Sequence, residues 1–197
     1  MVPRVTALTA EPAGTHVVVE VDGARWRRIP ADVAMRVGLS RDSELGRGDL
    51  RALRRELRRA EAIDAATRAL VHRDRSRAAV LARLRAVGIS PWAAGEALET
   101  LERAGIVDDG RFARSRAAAL AARGSGDALI EDELRSAGVS EDDLQAALGA
   151  LDPERERAIR VTATRGESPA TARWLARRGF GQDAIEAALP TVVADEP

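Results

Sequence analysis

One signature recurs three times in this chain: a leucine, a glycine four residues later with an apolar residue behind it, and an Ala-Leu pair ending ten residues past the glycine. The copies are Leu84/Gly88-Ile89/Ala97-Leu98, Leu134/Gly138-Val139/Ala147-Leu148 and Leu175/Gly179-Phe180/Ala188-Leu189. Each copy predicts a helix that stops at a left-handed glycine, with the next apolar residue folded back on the leucine one turn inside, as in a Schellman cap. A further apolar residue lies fourteen positions before each leucine, at Leu70, Leu120 and Val161. The unit therefore reads as three helices, the glycine ending the second. Three related units that bury their faces against one another are the expected architecture.

Composition agrees. Leu and Ala dominate the apolar residues, and β-branched and aromatic residues are sparse after residue 40, a balance that favours helix over sheet. The reading is mainly α: three tandem three-helix repeats, at 61–107, 108–151 and 152–190, preceded by a connecting helix at 47–60. Residues 191–197 read as a frayed tail. Residues 1–46 differ in texture. Val5 to Leu8 and His16 to Val21 alternate or run apolar, Asp22-Gly23 is a hairpin turn, and Ala24 to Ile29 returns as a strand. Pro30 opens a short helix closed by Gly38, with Ala34 and Leu39 placed for a cap contact. A β-hairpin plus helix this small is marginal alone, so it is expected to dock on the helices that follow.

The boundaries carry caps. Ser90-Pro91, Asp152-Pro153 and Ser168-Pro169 each place a capping side chain before a proline at the first helical position, Ser140 and Asp127 cap other helices, and Leu101, Gly105 and Ile106 repeat the C-cap arrangement. Asp108 and Asp109 stand before a helical segment, and capping with helix-dipole stabilisation explains them better than a cation site. Glu141-Asp142-Asp143 reads the same way. Phe112, Trp92, Trp174 and Phe180 read as packing anchors, and Gly124-Ser125-Gly126 as a flexible turn, being too short for a phosphate loop.

The formal net charge of zero hides an alternation. Arg against Asp plus Glu runs 12 to 5 over residues 47–85, 1 to 5 over 86–110, 4 to 0 over 111–123, 1 to 9 over 124–154, 7 to 2 over 155–179 and 0 to 4 over 180–197. Basic first and second helices in repeats one and three could align like charges along one edge. The candidate partner-binding residues are Arg73, Arg75, Arg77, Arg111, Arg173, Arg177 and Arg178, with Gly88, Gly138, Gly179, Asp108, Asp109 and Phe112 as the structural motif. His16 and His72 have no ligand partner at usable spacing and cysteine is absent, so no metal, cofactor or catalytic residue is expected. Nothing resembles a signal peptide and no run approaches the roughly 20 apolar residues of a membrane helix; a cytoplasmic monomer is the expectation.

Taken together, Gly105-Ile106-Val107-Asp108-Asp109-Gly110-Arg111-Phe112-Ala113, then Gly124-x-Gly126, Ile130, Glu133-Leu134 and Gly138-Val139, resemble the central signature of the RecX family of recombinase regulators. Arg75-Ser76-Arg77 leading into Leu84 and Gly88, and Arg173 through Phe180, are similar to that family's first and third repeats, so the resemblance spans residues 48–190. It implies a curved, elongated array of three-helix repeats. It further implies binding to the RecA filament on single-stranded DNA, with restraint of its ATPase, strand-exchange and coprotease activities in recombination, repair and the SOS response. Such an action needs a long patterned surface and no catalytic group. Leu120, Ala128, Leu129 and Ala137 stand where the family commonly has basic residues, and Arg116 where it often has an aromatic, so the second repeat is expected to contribute less charge. The alternative is a helical repeat protein that grips nucleic acid directly through its arginine faces. The equal numbers of each sign favour a protein partner, with weak single-strand contact beside it.

Overall fold

In the computed structural model, which describes residues 2–71 and 74–190, the chain opens with three antiparallel strands, β1 (Val5–Ala10), β2 (His16–Val21) and β3 (Ala24–Pro30), in the order β1-β2-β3. The apolar segment at Val5 is thus a full third strand beside the expected hairpin. Asp22 and Gly23 both take positive φ, 51° and 83°, the backbone that matches the twist of a two-residue hairpin. The register of β2 on β3 shifts between Val19↔Arg27 and Glu20↔Arg25, leaving Trp26 as the extra residue of a bulge. One face of the sheet is buried: Val5, Val19 and Ile29 form a core with Val33 and Ala34 of helix α1 (Ala31–Arg36), Leu45, and Leu53 of helix α2 (Arg47–Leu70). Gly38 closes α1 with φ 66°, and the Leu39 amide donates to the Ala34 carbonyl at 2.9 Å.

Ten helices lie among the described residues. The apolar stripe from Leu50 to Ile63 makes α2 one helix of 24 residues, continuous through residue 60 with no break between connecting helix and first repeat. After it come α3 (Arg77–Ala86), α4 (Pro91–Arg103), α5 (Asp109–Ala122), α6 (Asp127–Ser136), α7 (Glu141–Gly149), α8 (Glu154–Arg165), α9 (Pro169–Arg177) and α10 (Gln182–Ala188). The chain divides into two compact units, one of Met1–His72 with Leu81–Ala104 and one of Arg73–Val80 with Gly105–Pro197, so the first turn of α3 belongs with the second unit.

In the first unit α2 and α4 meet through small residues, Ala62 against Ala93 and Ala97, which lets the helices approach closely. In the second, the same arrangement of first helix on third appears twice. Ala113 and Ala117 of α5 share a core with Leu144 and Ala147 of α7, and Ala158 of α8 shares one with Ala184, Ile185 and Ala188 of α10. The leucine of each signature is fully buried.

Gly88, Gly138 and Gly179 have φ of 81°, 76° and 81°. The amides of Ile89, Val139 and Phe180 donate back to the carbonyls of Leu84, Leu134 and Leu175 at 3.0, 3.1 and 3.1 Å, the long bond of a Schellman cap. Ser90, Ser140 and Ser168 cap α4, α7 and α9.

Three local expectations need correction. Pro153 is itself the N-cap of α8, and the Asp152 carboxylate pairs with Arg160 at 2.7 Å instead of capping. Gly126, not Asp127, is the N-cap of α6; the Asp127 carboxylate turns to Arg157. Gly105 has φ 67°, but Ile106 behind it is exposed and Val107 takes the buried place; the Ile106 carbonyl accepts from the Arg111 guanidinium.

Candidate partner interface

The second unit repeats one joint. At its first occurrence the Ser76 hydroxyl, at the start of α3, donates to the Ala137 carbonyl at 2.6 Å and accepts from the Ala79 amide at 3.2 Å. Gly138, at the end of α6, sits so close that a Cβ there would lie 2.6 Å from that of Ala78. At its second occurrence the start of α6 meets the end of α9: the Gly126 and Ala128 amides donate to the Arg178 and Gly179 carbonyls at 2.8 and 3.1 Å. A Cβ on Gly179 would lie 2.5 Å from the Leu129 nitrogen, and one on Gly126 2.3 Å from the Gly179 carbonyl. In both joints a carboxylate at the first residue of a following helix caps the first amide of the earlier one. Asp109 Oδ1 accepts from the Arg77 amide at 2.7 Å, and Glu154 Oε1 from the Asp127 amide at 2.6 Å. Asp108 caps its own helix α5 through the Arg111 amide at 2.8 Å, and Phe112 packs on the α5–α7 core. Gly88 ends α3 in open space: among the described residues nothing lies within 4 Å of where its Cβ would stand.

The joints decide which candidate arginines face outward. Arg178 does not. Its guanidinium donates to the carbonyls of Gly124 and Arg123 at 3.2 and 3.0 Å and to Ser125 Oγ at 2.8 Å, and it lies 5.7 Å from the Trp174 ring centre. Arg165 flanks the same ring at 4.3 Å. The Gly124–Gly126 turn is consequently no flexible connection: Ser125 is fully buried, and its carbonyl accepts from the Arg157 guanidinium at 2.8 Å. No local pattern signals this, because the partners come from residues 30 or more positions away.

Arg111 also has internal work, donating to the Gly105 and Ile106 carbonyls at 3.0 Å each. Arg173 and Arg177 lie exposed on α9 one turn apart, and neither forms an ion pair among the described residues. At the start of α3, Arg77 is exposed and Arg75 half-buried, on the wall of a groove with Phe112, Arg116 and Glu133. Arg73 lies outside the described residues, as do His72 and the tail from residue 191. Some other guanidinium groups are neutralised locally by carboxylates. Arg135 bridges Glu131 and Glu141, and these bonds raise its pKa above the ordinary arginine value. The bonds from Gln145 and Arg135 hold the Glu141 carboxyl below its ordinary value. Among the described residues no cluster of three or more His, Asp or Glu could hold a metal ion, and no helix is long and apolar enough to cross a membrane.

The fold and this surface define a mostly helical repeat protein with cationic helix faces, carried behind a small N-terminal sheet. Residues 108–148 match the family model of the second three-helix domain of RecX. The regulatory protein RecX of Halorhodospira halophila is 34% identical over 143 residues, covering 68% of this chain and 89% of that protein. The regulatory protein RecX of Chromohalobacter salexigens is 33% identical over 135 residues, covering 64% and 89%. The chain belongs to the RecX family of regulatory proteins. A crystal structure of a regulatory protein RecX superposes with a TM-score of 0.83 at 18% identity, over 94% of this chain and 98% of that one. RecX from Lactobacillus salivarius gives 0.60 at 18% identity, over 70% and 97%.

Proposed function

We propose that this protein binds the RecA filament on single-stranded DNA and restrains its ATPase, strand-exchange and coprotease activities without chemistry of its own. The observation that carries this reading is the division of labour on α9. Arg178 is built into the joint, whereas Arg173 and Arg177 project from an exposed face and have no ion-pair partner among the described residues. Cations held clear of internal partners on a rigid helix suit an acidic partner surface, and membership of the RecX family supports the recombinase filament as that partner. Arg77 adds a further exposed cation, at the start of α3.

The contact set is Arg75, Arg77, Arg173 and Arg177, with Arg111 at its margin. Titrating the protein into RecA on single-stranded DNA should lower ATP turnover to a plateau set by binding, and filaments should carry it down on sedimentation. Charge reversal at the four arginines should weaken both effects with helicity intact, and rising salt should weaken the wild type, since screening acts over about 10 Å at 0.1 M. Full inhibition by the four-site variant with unchanged salt dependence would move the contact to the acidic third helices. No effect of the folded wild type on RecA would refute the reading.

A further inference from the structure

The N-terminal sheet carries none of the arginines of the filament contact. Its buried face is fully accounted for by the core on α1 and α2, but its third strand presents Arg25, Trp26, Arg27 and Arg28 to solvent in succession. Trp26 is 41% exposed. It is also the bulged residue, so the strand itself turns it out.

The charges around this strand do not cancel. Arg28 is taken up by Glu11, at 2.7 and 2.9 Å, and Glu20 stands opposite Arg25 in the ladder. Arg27, however, lines an open groove with Arg54 and Arg58 of α2, over a floor of Leu57, Ala60 and Ile63. None of these three arginines has an ion-pair partner among the described residues. Of the acids in the groove, Asp32 pairs with Arg36 at 2.8 Å and Asp64 with Arg68, which leaves Glu61 against three guanidinium groups. An exposed indole next in the strand to Arg27, itself one of three unneutralised arginines lining a groove in the same unit, matches what an unpaired strand offers: base faces to stack and phosphates to neutralise.

We infer that β3 and the adjoining face of α2 form a single-stranded nucleic acid contact, with Trp26 as the stacking platform and Arg27, Arg54 and Arg58 as the phosphate ligands. The contact adds to the filament reading and is measured without the recombinase. Full-length protein is titrated against fluorescein-labelled (dT)20 by anisotropy across a salt series from 50 mM, with circular dichroism and melting curves as the check on folding. Trp26→Ala should weaken binding roughly five- to hundredfold, the range of one lost base stack, and Trp26→Phe should restore most of it. The combined variant Arg27→Glu, Arg54→Glu, Arg58→Glu should bind weakly and lower the slope of log K against log salt by about 2, at roughly 0.7 per phosphate. Wild-type binding absent at 50 mM salt, or a Trp26→Ala variant that binds as the wild type does, overturns the inference. So does equal or tighter binding of a duplex of the same length. RecA inhibition, assayed separately, tests the filament reading: inhibition retained by a variant that has lost (dT)20 binding leaves that reading standing.

Discussion

The three signature glycines share one backbone conformation but not one environment, and alanine at each separates the two. An alanine held at φ near +80° costs about 1–2 kcal/mol from backbone sterics alone. Gly88→Ala carries only that cost, because nothing lies within 4 Å of the added methyl group among the described residues. Gly138→Ala adds a clash at 2.6 Å with the Ala78 methyl, and Gly179→Ala one at 2.5 Å with the Leu129 backbone nitrogen. Overpacking of this kind costs a further 1–3 kcal/mol or so. The expected losses are therefore about 1–2 kcal/mol for Gly88 and about 2–5 for each of the others, measured from urea unfolding followed by far-UV circular dichroism. The Gly138 site allows a stricter control. Ala78→Gly removes the opposing methyl, so the double variant should show a coupling of about 1–3 kcal/mol after allowance for the roughly 1 kcal/mol glycine costs a helix. No such rescue exists at Gly179, where the obstacle is backbone. Equal losses at all three glycines, or no coupling between positions 78 and 138, would refute the claim that the joint and not the cap alone demands glycine.

Neighbouring arginines should behave oppositely: Arg178→Ala should cost about 2–3 kcal/mol, leaving the Gly124 and Arg123 carbonyls and the buried Ser125 short of a donor, whereas Arg177→Ala should stay within about 0.5 kcal/mol, both read from unfolding curves. Asp109→Ala should cost about 1 kcal/mol by uncapping the Arg77 amide, and Glu154→Ala should cost more, since its carboxylate also accepts from the Gly181 amide. The Glu11 carboxyl is held below its ordinary value, first by its hydrogen bond from Arg28, and Glu141 is likewise depressed. Stability from these groups is complete above the unfolded carboxylate pKa of about 4.3 and is lost as pH falls through the lower folded values, so melting temperature should drop below about pH 4.3, with a shallower drop in Glu11→Gln.

Local chemistry was legible in the sequence and distant chemistry was not. The Schellman glycines and the serine caps could be named because both halves of each motif lie within six residues, and the left-handed hairpin turn at Asp22-Gly23 for the same reason. Asp109 was recognisable as a capping acid, but the amide it caps belongs to Arg77, 32 positions earlier. Arg177 and Arg178 look identical in a charge count. One extends into solvent, while the other, at the helix C-cap, is aimed at the end of α5. That difference depends on which helix lies across from them, which no local pattern encodes. The Asp152-Pro153 and Asp127 caps failed through an offset of one residue, the scale on which a helix start is set by its neighbours.

Similar units in tandem invite wrong neighbours: the end of α9 could in principle settle on the start of α3, skipping the middle unit. The chemistry of the two joints obstructs this exchange. The cap at Gly179 is received by Gly126, where even a Cβ would stand 2.3 Å from its carbonyl; α3 offers Ser76 at that place, whose side chain would fill the same space. Arg178 likewise finds Ser125 and the carbonyls of Arg123 and Gly124 only beside α6. Divergence between the two joints thus acts as an address, steering each helix end to its own receiver during folding and making the skipped pairing a steric misfit.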